Sequence, residues 1–388
     1  MQRLSQSPTD PAFVQDPYPF YDRARAGGDL FFWEDCGMVC ATSHRAVSAL
    51  LRDRRLGREP PPGQEPRVNE RTRSFYRYEA HSMLSLEPPR HTRLRGLILR
   101  AFTSRRIAAM GPEIETLCHA LIDEFPRGRP FDLLDAYARI VPVVAICRLL
   151  GVPEAHGRQL LDWSNAMVAM YQARRTPEIE IGASRATEAF AAFLTEYIAR
   201  KRQRPADDLI TSLIAAEEAG DRLSTDELIA TAMLLLNAGH EATVHTIGNG
   251  VVALIGAGRP AITQASVEEV IRFDPPLHMF TRWAYEPVEV FGHRMRPGEE
   301  IGLLLAAANR DPDAYAEPGR FIARRQGPAN TSFGAGLHFC VGAPLARLEL
   351  EAAFRILFAR CPNLAIAEPP RYANVYHFHG LDRLMVTI

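Results

Sequence analysis

The sequence predicts a mainly α protein with small β-sheets, and three observations carry that expectation. Helical periodicity fills most of the chain, strand-like runs are few and short, and no repeat or interdomain linker divides the 388 residues. Residues 1–388 therefore read as a single domain, long enough to bury a sizeable core.

In chain order, REPPPGQEP and its Arg/Tyr-rich continuation to Tyr78 read as a long loop, a kind more often functional than structural. LCHALIDEF, AYARIVPVVAICRLL and ATEAFAAFLTEYIARKRQR follow as helices. The longest helical run, Ser224 to about Ile255, opens with Ser224-Thr225-Asp226-Glu227, a capping box in which hydroxyl and carboxylate satisfy free N–H groups. VEVFG, EEIGLLLAA and the terminal RLMVTI are the best strand candidates.

Acidic residues (46) and basic residues (45) nearly cancel, so no global field argues for nucleic acid or an anionic membrane surface. Six scattered cysteines favour a reducing compartment over a disulfide framework. The first residues show no basic-then-apolar signal, and apolar runs such as IVPVVAI are too short to span a bilayer. A soluble, cytoplasmic protein without nucleic-acid or membrane partners is expected.

The chemistry concentrates in SFGAGLHFC, where Phe333, Gly334, Gly336 and His338 precede Cys340 and a helical run follows at once. A cysteine just before a helix N-terminus sits at the positive end of the dipole, and upstream glycines let N–H groups turn toward it. Both effects favour thiolate. Three readings stand: a metal ligand, a nucleophile with His338 as base, or a small buried hydrophobe that would leave the glycines unexplained.

FGAGLHFCVG resembles the haem-binding loop of the cytochrome P450 superfamily, F-G-x-G-x-H-x-C-x-G, and the likeness extends from DPYPFYDRAR to HGLDRLMVTI. It implies the P450 fold, with haem between the long central helix and the cysteine loop. Cys340 would be the axial thiolate of haem b (iron protoporphyrin IX), pushing electron density onto iron, and His338 would face a propionate. PPRHTRLRGLILRAFTSRRI resembles the family's C helix, where His91 and Arg95, four apart and on one side, match propionate-binding positions. Arg282 matches a third. Two histidines and two arginines suit a pair of buried carboxylates.

Glu269 and Arg272 in VEEVIRFDPP can pair at i,i+3. The E-x-x-R pattern recurs at Glu87, Glu317 and Glu368, so its meaning here comes from the family's order of segments around it. The resemblance implies that Arg320 of PGRF completes a buried structural ion network.

LLLNAGHEATVHTIGNG resembles the oxygen-binding segment A-G-x-[DE]-T-[TS]. Ala238 and Gly239 match the residues that leave room for O2, and Glu241 matches the acid, but Ala242 replaces the usual threonine. Thr243 stands one residue on, about 100° around a helix, so its hydroxyl should face elsewhere. Proton delivery then falls to a substrate hydroxyl or amide, to ordered water with Glu241, or to His245 or Thr246; substrate assistance is the preferred reading. A second departure is GVVALIGAGRPAITQASVEEV, which passes quickly where the family usually inserts another helix.

By resemblance the substrate pocket is lined by Met83 and Leu84, Met167 and Met170, Leu235, Ala238 and Ala242, the segment Leu277 to Phe280 including His278, and the tip at His377 and Phe378. His377 and His379 stand at i,i+2, a spacing two metal ligands can use, but no third ligand is in view; a polar tip to an apolar pocket is preferred. With the Arg/Tyr-rich loop, this hints at a hydrogen-bonding substrate, such as an aromatic or peptide-derived one.

The resemblance implies a soluble bacterial-type haem-thiolate monooxygenase that oxidises a small organic molecule of secondary metabolism with O2. Electrons would come from a separate ferredoxin and ferredoxin reductase, since the chain carries no flavin or iron–sulfur segment. Arg100, Arg105, Arg106 and Arg347 could form part of the docking face. The alternative is oxidative coupling or cyclisation without oxygen insertion; a haem-binding sensor without turnover is a third reading. Whether substrate arrives free or on a carrier protein is open.

Overall fold

The computed structural model describes residues 1–171, 175–218, 223–376 and 378–388. Helices dominate and the sheets are small, as expected. The chain divides into two compact units, one from residues 1–64, 115–138 and 242–388, the other from 65–114 and 139–241. The longest helix, Thr225–Gly256, supplies residues to both.

The first unit is organised by a six-stranded sheet in the order Gln2–Leu4, Leu30–Trp33, Met38–Ala41, Glu300–Leu304, Met279–Ala284, Leu56–Gly57. Side-chain alternation divides its core in two. Leu30, Ala41 and Leu303 join one cluster with Val47, Leu50 and Ile301, while Phe31, Cys40 and Leu304 join the other with Phe13, Tyr21 and Trp33. Gly302 sits where sulfur crowds the sheet, and a Cβ there would come within 2.7 Å of Cys40 Sγ.

The strand expectations hold in part. VEVFG forms Val288–Val290, and the terminal run splits into Leu381–Arg383 and Met385–Thr387. EEIGLLLAA is strand only as far as Leu304; Leu305–Asn309 is a buried helical turn, because five consecutive inward residues cannot alternate across a sheet.

The second unit is helical, with Arg90–Ala101, Ile140–Leu150, Gly157–Val168 and Pro177–Gln203 among its elements. The expected loop to Tyr78 is corrected near its end. Arg73–Glu79 is a helix, since Phe75 buries its ring 5.3 Å from Tyr76 and 6.0 Å from Tyr171. Two of that stretch's arginines are paired rather than waiting for a ligand, Arg71 with Glu180 at 2.9 Å and Arg77 with Asp226 at 3.1 Å.

The capping box at Ser224 forms reciprocally: Glu227 N–H donates to Ser224 Oγ at 3.2 Å and Ser224 N–H to Glu227 Oε2 at 2.8 Å. After Gly256 no helix intervenes before Gln264–Phe273, so the short connection is real. No helix among the described residues is long and apolar enough to cross a membrane.

Candidate functional site

The cysteine loop depends on glycine at two points. Gly334 and Gly336 have φ of +68° and +66°, where side chains are strained. A Cβ on Gly336 would also lie 2.7 Å from the Leu51 carbonyl oxygen. The loop tightens through a 3-10 turn, Gly336–His338, and Cys340 N–H donates to the Phe333 carbonyl at 3.0 Å. Gly342 then caps the helix Ala343–Arg360, leaving half-buried, unbridged Cys340 at its positive end. Leu337 and Phe339 beside it are exposed.

This loop is anchored by a polar network that runs back to Glu269. Asn309, fully buried, accepts from Thr331 N–H at 2.7 Å and donates to Ser332 Oγ at 2.7 Å, and Ser332 Oγ donates to the Ile271 carbonyl. Arg272 donates to the Asn309 carbonyl at 2.7 Å and forks onto Glu269 at 2.7 and 2.8 Å. Arg320 does not complete the network. It is exposed beside Glu317, whose φ of +45° carries the turn outward. Arg325 takes the place instead, its Nε 3.0 and 3.1 Å from the two Glu269 oxygens, while Ile322 N–H donates to the same carboxylate at 2.8 Å.

The cationic groups lie on firm elements. In the second unit His91 is buried and Arg95 half-buried, one turn apart on Arg90–Ala101 beside buried Leu94 and Ile98. In the first, Arg282 is buried in the strand Met279–Ala284 and donates to the Thr281 carbonyl at 2.8 Å; His338 is half-buried in the 3-10 turn.

Along the long helix, Ala238 is exposed and Glu241, Ala242 and His245 are half-buried, while Leu235, Leu236, Asn237, His240, Thr243 and Val244 are buried. That three-and-four spacing is one open face. Gly239 serves packing, since a Cβ there would stand 3.2 Å from Ile146 Cδ1. Burial pushes the Glu241 carboxyl up to about 7. Thr243 lies on the side of the buried Glu349 carboxyl, which burial raises well above the ordinary range. Thr246 Oγ1 donates to the Ala242 carbonyl at 2.7 Å, and the His245 ring packs against Gly380 and 5.7 Å from Phe378.

Of the expected pocket residues, Met83, Met167, Met170 and Leu235 are buried and Leu84 is half-buried. Asn237 Nδ2 stands 3.8 Å from Met167 Sδ. Leu277 and Phe280 pack against one sheet cluster, with the Phe280 ring beside Gly334. Phe378 is buried, and His377 lies outside the described residues. His278 is corrected: it turns into the aromatic core of the first unit, 1 % exposed, with Nδ1 2.9 Å from the Tyr21 hydroxyl. Two of the arginines expected to form a docking face are engaged within their units, Arg106 with Asp207 and Arg347 with Glu268 and the Phe333 ring. Asn309, Arg325 and Glu349 escaped the sequence reading.

The donor set fits a haem. Within the first unit it offers one thiol at a helix head and, in Arg282 and His338, two basic side chains for carboxylates. The family model described as Cytochrome P450 matches residues 261–363. The vitamin D(3) 25-hydroxylase of Pseudonocardia autotrophica is 41% identical, the alignment covering 97% of this chain and 94% of that one. The chain belongs to the cytochrome P450 family. The polyketide biosynthesis cytochrome P450 PksS of Bacillus subtilis is 33% identical over 96% of this P450 and 93% of its own length. Among solved structures, P450BioI in complex with an acyl carrier protein ligated to hexadec-9Z-enoic acid matches with a TM-score of 0.91 and 30% identity, covering 98% of this chain and 100% of that one. This P450 is an oxidoreductase of the monooxygenase type, with a haem-thiolate cofactor, acting on small substrates with O2.

Proposed function

We propose that residues 1–388 act as one catalytic domain that uses haem b to insert oxygen into a small organic molecule of secondary metabolism. The observation that carries this is the glycine-shaped loop presenting Cys340 at the head of Ala343–Arg360. Electrons come from a ferredoxin and its reductase, and the reaction takes place in the cytoplasm. The substrate arrives free or on a carrier protein, a reading supported by the likeness to P450BioI, solved with its acyl carrier protein.

Bound haem supplies oxygen activation at an iron made electron-rich by thiolate. Cys340 would be its ligand, favoured as thiolate by the helix dipole. His91, Arg95, Arg282 and His338 would hold and neutralise its propionates. Ala238 and Ala242 keep the open face of the helix small, leaving space for O2 and substrate. Glu241, shifted to about 7, exchanges protons with water at neutral pH. With Thr243 turned to the side of Glu349 and Thr246 bonded to its own helix, proton delivery falls to a substrate hydroxyl or amide.

The test is optical and then by mass. Titrating the haem protein with aromatic amino acids, cyclic dipeptides, polyketides and terpenoids, free and carrier-bound, should give a saturable low-to-high-spin shift with one class. Turnover under labelled O2 should then add one labelled oxygen to product. Loss of two hydrogens without oxygen gain would replace this reading with coupling.

A further inference from the structure

The first unit holds a second cluster of ligating side chains that the P450 reaction does not use. Asp274, His278 and His379 are 7 %, 1 % and 7 % exposed, and one donor atom from each lies within 4.8 Å of the others. The Tyr21 hydroxyl occupies His278 Nδ1 at 2.9 Å, and Nε2 is buried with no hydrogen-bond partner among the described residues. A buried polar atom left this way is costly unless something takes up its lone pair. His379 stacks on Tyr372, centroids 3.8 Å apart, with Nε2 3.5 Å from Asp274 Oδ1.

The surroundings orient these donors. The Tyr18 hydroxyl donates to Asp274 Oδ1 and the Tyr372 hydroxyl to Oδ2, each at 2.7 Å. Asn249 Nδ2 donates to the backbone carbonyls of Asp274 and His379 at 3.2 and 2.9 Å, fixing the two segments side by side. A cleft of about 200 Å³ reaches Asp274 and His379 and is walled in part by Asp16 and Arg310, which gives an ion a way in.

We propose that Asp274, His278 and His379 bind a divalent transition-metal ion of the zinc class as a structural clip. Two imidazole nitrogens and one carboxylate oxygen suit a borderline-soft dication, with water from the cleft as fourth ligand. Tyr18, Tyr21 and Tyr372 form the outer hydrogen-bond layer that such sites use to aim their ligands. Charge is compatible: Asp16 and Asp274 outweigh Arg310, whose guanidinium is spent on the Phe273 carbonyl and lies 3.4 Å over the Tyr18 ring. Metal bonds of about 2.0–2.2 Å place tetrahedral ligand atoms about 3.3 Å apart, so the donors draw inward on binding. The ion would join the end of Gln264–Phe273, the approach to Met279–Ala284, and the C-terminal turn beside Phe378.

Tag-free, haem-loaded protein is dialysed against micromolar Zn²⁺, passed through gel filtration, and its zinc measured against haem iron. About one zinc per iron is expected, falling about tenfold or more in His379→Gln and in His278→Gln. Zinc K-edge absorption of the unmutated protein keeps the test sharp should a variant fail to fold; a shell of nitrogen and oxygen with imidazole scattering is expected. Zinc lost on the column, zinc unchanged in both folded variants, or sulfur in the shell overturns the proposal.

Discussion

Ala242 and Thr243 differ by one position, and that step removes a hydroxyl from the open face of the long helix. Thr243 instead meets Glu349, so adding a threonine at 242 inserts a group that the relay does not use. Ala242→Thr should leave product per electron pair unchanged or lower; a large gain would defeat substrate assistance. Burial pushes the Glu241 carboxyl up to about 7, and in the proposed relay its acid form is the donor, so coupling should fall as pH rises through about 7. Glu241→Gln should abolish that limb while the spin state still responds to substrate. The ion network makes a second residue-scale contrast. Arg325→Ala leaves the buried Glu269 carboxylate with Arg272 as its one remaining cation and should cost about 1.5–3 kcal/mol, whereas exposed Arg320→Ala should change stability by about 0.5 kcal/mol or less, both read by thermal unfolding. The sequence named Arg320 because motif order fixes neighbourhood. It cannot fix which of several nearby arginines a turn with φ of +45° leaves inside.

At the scale of elements, the cysteine loop was the most legible because its glycines, histidine and sulfur are local in sequence. The long helix was legible for the same reason, capping box included. What sequence could not show were contacts made across distance: Asn309 reaching Thr331, Glu349 reaching Thr243, and His278 turning toward Tyr21. Glu349 gives this scale its prediction. Its raised carboxyl keeps a proton that the unfolded chain releases at ordinary carboxylate pH, so stability is fullest at acid pH and declines as pH rises. Glu349→Gln, neutral at every pH, should flatten the dependence of Tm on pH between about 4.5 and neutrality; an unchanged slope would mean that Glu349 is ionised in the fold.

Across the whole molecule, the order of segments carried more than any single motif. The resemblance rested on the order of Arg90–Ala101 with His91 and Arg95, the long helix, Glu269 and Arg272, and the cysteine loop, and relatives align over nearly the full chain. Periodicity gave the mainly helical class but not the six-stranded order, which depends on pairing Met38–Ala41 with Glu300–Leu304 and Leu56–Gly57 with Met279–Ala284. Nor could it divide the polar residues of the C-terminal turn between substrate and core. The central claim rests on one sulfur, and the most direct measurement is the absorption spectrum of the reduced carbon monoxide complex, taken for the unmutated protein and for Cys340→Ser. The account predicts the long-wavelength Soret band of thiolate ligation in the first and its loss in the second, with haem content reported for both. An unmutated protein without that band, or a Cys340→Ser variant that keeps it, would contradict the assignment.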